Sequence, residues 1–246
     1  MIILKKAYLK CLQGLRHFRK TLLTDIEQKR GKLYFNWLKS KTEKIENEKN
    51  DDYFYNNLVK YTLKNYKIDS YNFERLNEQL KVIVKRNYVL KDSAYIFNNI
   101  NISKEDALLL AKKLLFRRGN VVWIDFGFNI GNEFGGMHPA IILKNFDSEL
   151  FVLPISSKKP SEYRKIEDEY TDGKITKEEC EKRKNDVTEI VQIDSIYRFK
   201  DMKRWANITR MRKVSVLRLN FSGTIGKLDG KYLNQVNEKI RLEFFE

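Results

Sequence analysis

Apolar residues along this chain keep two rhythms, and the change between them falls near residue 116. Early on, Leu4, Tyr8, Cys11, Leu15, Phe18 and Leu22 recur at alternating spacings of four and three, which puts them on one helix face. Such a stripe is a short coiled-coil seam or, more simply, the buried face of a helix in its own domain. Further helices are predicted around Leu33–Lys49, Tyr53–Tyr66 and Phe73–Val84, with a break at the polar run NEKNDD. Ser103 followed by Asp106 has the spacing of a helix cap and opens a helix through Leu115. Up to residue 115 there are only two glycines, Gly14 and Gly31, and no proline, as a basic helical region would have it.

From Arg117 the period shortens. RRGNVVWIDFGF, HPAIILKN and ELFVLPIS are short runs of β-branched and aromatic residues between turn signals, which predicts antiparallel strands. Strands are expected to resume with VTEIVQIDSIYRF and RWANITRMRKVSVLRLNF. Between them, at about 158–187, lies a highly charged stretch with a turn at Asp172-Gly173 and a capping box from Thr176 to Glu179. It reads as a solvent-exposed helical hairpin inserted between strands. Leu233, Val236, Ile240 and Phe244 mark one face of a last helix. The chain is therefore read as α+β, with a helical region over 1–115 and a strand-rich domain over 116–246.

Composition narrows the function. With 42% hydrophobic residues the chain holds enough apolar material for a core, which excludes a disordered protein. Its net charge of +15 favours a polyanionic partner, because Lys and Arg neutralising phosphates supply most non-specific nucleic-acid affinity. The same charge would suit an anionic membrane surface. The first residues interrupt their apolar positions with charge, unlike a signal peptide or a membrane span. Cys11 and Cys180 are isolated, so no metal cluster or disulfide framework is indicated. A cytoplasmic protein without a cofactor is the expectation.

One residue stands out. His138, one of two histidines, sits between a Gly-Gly pair and Pro139, just before an apolar run. Taken alone it is a turn residue, held extended by the proline that follows it, or a catalytic one. Arg210 and Arg212 alternate with Met211 and are expected to share one strand face, either solvated or binding phosphate.

In this order the pieces resemble the MazF/PemK family of toxin ribonucleases. The resemblance rests on Arg118-Gly119 with the strand VVWID, the loop Gly131–Gly136 carrying Glu133 and Phe134, and His138-Pro139-Ala140 before IIL. It continues with Pro154-Ile155-Ser156, with Arg212 ahead of Arg218-Leu219, and with the ending GKLD. It covers roughly 117–246 and implies a small SH3-like antiparallel β-barrel with helices, usually a homodimer. It also implies metal-free cleavage of single-stranded RNA and control by a separate antitoxin protein. The family's catalytic arginine and threonine correspond here to His138 and Ser156. The second change keeps a hydroxyl. The first replaces a permanent charge with a group able to carry protons near neutral pH. On this reading His138, Ser156 and Arg212 are the catalytic candidates, and Glu133, Phe134, Lys158 and Arg210 the RNA-binding ones. A catalytically silent nucleic-acid-binding module keeping the same barrel is the alternative.

Overall fold

The computed structural model describes residues 35, 36, 38, 39, 51–66, 68–98, 102–127 and 135–245. Residues 1–49 form one compact unit, and its four described residues are helical. The stripe from Leu4 to Leu22 lies outside the described residues. Residues 50–246 form the second unit.

Within this second unit, helix α1 (Asp51–Asn65) buries Tyr55, Leu58, Val59 and Thr62, the spacing of one helical face. Thr62 satisfies its buried hydroxyl by donating to the Leu58 carbonyl at 2.7 Å. The helix expected over Phe73–Val84 is instead two, α2 (Ser70–Glu74) and α3 (Glu78–Asn87). The break has a local cause: the Asn77 side chain accepts from the Leu80 amide at 2.9 Å and starts a new helix. Residues 88–97, read as helical, form a hairpin of β1 (Tyr88–Lys91) and β2 (Ala94–Phe97). Asp92 and Ser93 turn it at φ of 47° and 65°, the twist that a two-residue hairpin turn requires. Helix α4 (Lys104–Leu114) starts where expected, with Ser103 accepting from the Asp106 amide at 3.1 Å.

The sheet is antiparallel throughout. Its strands are β3 (Asn120–Asp125), β4 (Met137–Phe146), β5 (Glu149–Ser156), β6 (Ile190–Ile193), β7 (Arg204–Asn207), β8 (Arg212–Ser215) and β9 (Gly226–Lys227). They run in the order β6-β7-β5-β4-β3-β9, with β8 also beside β5. Strand β5 changes neighbour partway along: Glu149–Val152 face β8, whereas Ile155 and Ser156 face β7. This change of partner curls the sheet into a half-barrel. Tyr197, just past β6, exchanges backbone hydrogen bonds of 3.1 and 3.3 Å with Lys227 in β9, tying the two ends of the sheet order together.

Both faces of the central strands are covered, which explains their unbroken apolar runs. Val122, Ile124, Ala140, Ile142 and Val152 share one core with α1, α3 and α4. Val121, Ile141, Leu153 and Ile155 share the other with β6, β7 and the last helix, α7 (Gly230–Phe245). The helices N-terminal to β3 are thus one layer of the same core as the sheet.

The charged insert forms the expected pair of helices, α5 (Ser161–Thr171) and α6 (Lys177–Asp186), with Thr176 accepting from the Glu179 amide at 3.2 Å. Lys184–Glu167 and Arg183–Glu169 bridge them at 3.0 and 2.5 Å, over buried Tyr163 and Cys180. The run RWANITRMRKVS is not one strand. A 3-10 turn at Ile208–Arg210, pinned by Asn207 accepting from the Thr209 amide at 2.9 Å, separates β7 from β8.

Candidate functional site

Strands β3 and β4 converge at a narrow neck. The Gly136 amide donates to the Gly127 carbonyl at 2.6 Å, and the Phe126 amide to the Gly136 carbonyl at 2.9 Å. Gly136 has φ +82°, and a Cβ there would stand 4.0 Å from His138 Nε2. The positive φ is what calls for glycine here, since a Cβ at that distance is in ordinary contact with the imidazole. Glu133 and Phe134 lie outside the described residues.

His138 is half-buried in β4, paired with Ile124. Burial pushes its pKa below the usual 6.5, against the opposing pull of the Gly135 and Ile155 carbonyls, either of which can accept the single N–H of the neutral ring. The Ile155 contact puts the imidazole against β5, one residue from Ser156. The strand register agrees: Ala140 faces Pro154, and two residues further along each strand come His138 and Ser156.

Ser156 closes β5, and its hydroxyl accepts from the Lys158 amide at 3.0 Å. Together with Lys158 and Arg210 it lines a pocket of about 260 Å³. Arg164 and Trp205 line the same pocket, as do the first residues of α5. Trp205 is 7% exposed, and its indole N–H has no partner among the described residues. Pro160, at the N-cap of α5, supplies no side-chain cap, so the first amides of that helix add positive potential. Among the described lining residues Glu162 is the one carboxylate. A phosphate would find hydrogen-bond donors and cations here.

Arg212 does not line this pocket. It pairs with Val152 in β8, and its guanidinium rests 5.6 Å from the centre of the Phe126 ring. The expected shared strand face of Arg210 and Arg212 is therefore not formed. Arg210 belongs to the 3-10 turn and lines the Ser156 pocket, whereas Arg212 lies on the strand beside the neck. By register, Arg212, His138 and Ser156 all occupy the sheet face that also meets the helical layer.

The structure thus gathers Ser156, Lys158 and Arg210, sets His138 next to them through Ile155, and leaves Arg212 on Phe126. Sequence reasoning missed Arg164, Trp205 and the start of α5. Their one sequence signal was Pro160 followed by Ser161 and Glu162, a helix start placed immediately after β5.

Comparison with known proteins bears on this part of the chain. The profile of the family described as "PemK-like, MazF-like toxin of type II toxin-antitoxin system" matches residues 117–244. Among solved structures, the chain is similar to MazF (Form-I) from Deinococcus radiodurans. The two are 14% identical with a TM-score of 0.34, over 51% of this chain and 92% of that one. No curated protein matches.

Proposed function

Because this chain belongs to the PemK-like, MazF-like toxin family of type II toxin–antitoxin systems, we propose that it is a metal-independent endoribonuclease acting on single-stranded RNA. The observation that carries this reading is the convergence of Ser156, Lys158, Arg164, Arg210 and the unpartnered Trp205 indole on one pocket beside His138. In the proposed reaction the 2′-hydroxyl attacks the adjacent phosphorus while His138, neutral at working pH, accepts its proton. The P–O5′ bond then breaks. The leaving 5′ oxygen takes a proton from water, and the products are a 2′,3′-cyclic phosphate and a 5′-hydroxyl. Lys158 and Arg210 hold the phosphate oxygens, and Arg212 supplies fixed positive charge from the Phe126 side. Glu133 and Phe134 are assigned to RNA contact. A separate antitoxin covering this site and a homodimer complete the proposal.

The test is incubation of a long single-stranded RNA with the protein in EDTA, comparing wild type with His138→Ala and His138→Arg. Discrete cleavage that is lost in the alanine variant and partly kept in the arginine variant is the expected result. Wild-type cleavage that survives His138→Ala would remove His138 from the chemistry.

One observation favours a second reading. The His138 ring lies between the Gly135 and Ile155 carbonyls and links the neck to β5. If that link is its whole role, the chain is a silent RNA-binding module. It would then bind RNA in a salt-sensitive way without turnover.

A further inference from the structure

A second basic hollow lies at the other end of β3. His138 pairs with Ile124, whereas this hollow begins at Asn120, four residues or about 13 Å of strand away. Its volume is about 340 Å³. Four cations line it: Arg117 and Arg118 from the approach to β3, Arg198 from beyond β6, and Lys227 from β9. Tyr66, just past α1, and Tyr197 line it as well. Among the described residues no Asp or Glu lines it, and none of the four cations forms an ion pair. The neighbouring hollow shares Tyr197, Arg198 and Lys227 with this one, and Asp201 and Asp229 line it without pairing with either cation.

Part of this charge has structural work. The Arg198 guanidinium donates to the Asn65 carbonyl at 3.0 Å, and Arg117 Nε to the Lys113 carbonyl at 2.7 Å, so both cap helix C-termini. Arg118 donates to the Asn237 side chain. Each guanidinium has five N–H donors, and these contacts leave most of them unused. Tyr197 is 68% exposed, and Arg198 beside it has φ +66°, a conformation that non-glycine residues rarely hold. The Tyr197–Lys227 backbone pair fixes this corner to the sheet. The outcome is a displayed aromatic ring on a fixed corner of the sheet, beside cations that pair with no carboxylate among the described residues.

That combination suits unpaired nucleic acid, in which phosphates seek cations and bases seek flat aromatic surfaces. We propose that this hollow is a second contact for single-stranded RNA, separate from the His138–Ser156 site. Arg117, Arg118, Arg198 and Lys227 hold the phosphate oxygens of the segment that enters it, and Tyr197 stacks on a base. The proposal rests on the reading of this chain as a ribonuclease and adds a point of RNA contact at the opposite end of β3.

The test measures binding apart from cleavage. A labelled strand of about 20 nucleotides, 2′-O-methylated so that its 2′-oxygen cannot attack, is titrated into the full chain by fluorescence anisotropy at several salt concentrations. Tyr197→Ala should weaken binding ~5-fold or more, from the loss of one stacking contact. Arg118→Gln with Lys227→Gln should lower the slope of log K against log salt by about 1.4, at roughly 0.7 for each phosphate contact on a single strand. Melting temperatures confirm that the variants fold, and the exposed Tyr197 keeps the test open if the double variant does not. Unchanged affinity in folded Tyr197→Ala together with an unchanged salt slope overturns the proposal. So does ATP binding more tightly than RNA and being lost in the same variants, since the hollow would then hold a free nucleotide. Cleavage of ordinary RNA is scored separately. A wild type that binds but never cuts sinks the proposed activity and leaves the second contact standing. One that cuts, with variants binding as wild type does, has the opposite meaning.

Discussion

At the scale of the residue, His138 combines burial with two carbonyl partners, and burial prevails. A lowered pKa leaves the imidazole neutral at pH 7, the form a general base needs. The acidic limb of kcat/KM should therefore have its midpoint below the ordinary 6.5. A pH–rate profile checks this, and a midpoint above 6.5 would refute it. The same shift affects stability. The folded state binds fewer protons at His138 than the unfolded state, so stability rises with pH. This contribution is fully present above pH 6.5 and fades as pH falls through the folded-state value. Urea midpoints of wild type and His138→Gln should differ less at pH 5 than at pH 7.5.

At the scale of the element, what mattered was which side chains start and stop each segment. Ser103 and Thr176 were recognisable because a hydroxyl followed three residues on by an acidic residue is a local signal, and both accept the expected amide. Ser103→Ala should cost about 1 kcal/mol, measured by denaturant titration, because it leaves a helix N–H without its cap. The hairpin at 88–97 also carried its signal, Asp92-Ser93 between YVLK and AYIF, but the surrounding helical texture concealed it. Gly226 gave no local signal at all. A Cβ there would lie 2.7 Å from both Ile196 and Phe199, so Gly226→Ala forces a shift in a packed corner. It should destabilise by roughly 1–3 kcal/mol and loosen the Tyr197–Lys227 pair, read by amide exchange.

At the scale of the whole molecule, the helices of residues 51–116 and the strands that follow are bound by one core. Leu58, Leu110, Val122, Ile142 and Val152 are all fully buried in it. A fragment of residues 117–246 would expose one face of its sheet. Expressed alone, it should aggregate or lack a cooperative melt, and a soluble, sharply melting fragment would contradict this. Among the described residues no helix is long and apolar enough to cross a membrane. The sequence by itself determined the elements whose signals are local: the capped helices, the alternating strands, the charged hairpin and the order of family motifs from Arg118 to Asp229. It also marked His138 and Ser156, since a motif carries its own spacing. Only the tertiary structure decided that Arg210 joins Ser156 while Arg212 turns to Phe126, and that Trp205 and α5 complete the pocket. Only it brought Arg117, Arg118, Arg198 and Lys227 together. These groupings depend on strand register and on a sheet that curls until distant segments meet, and neither is encoded in the spacing of neighbouring residues.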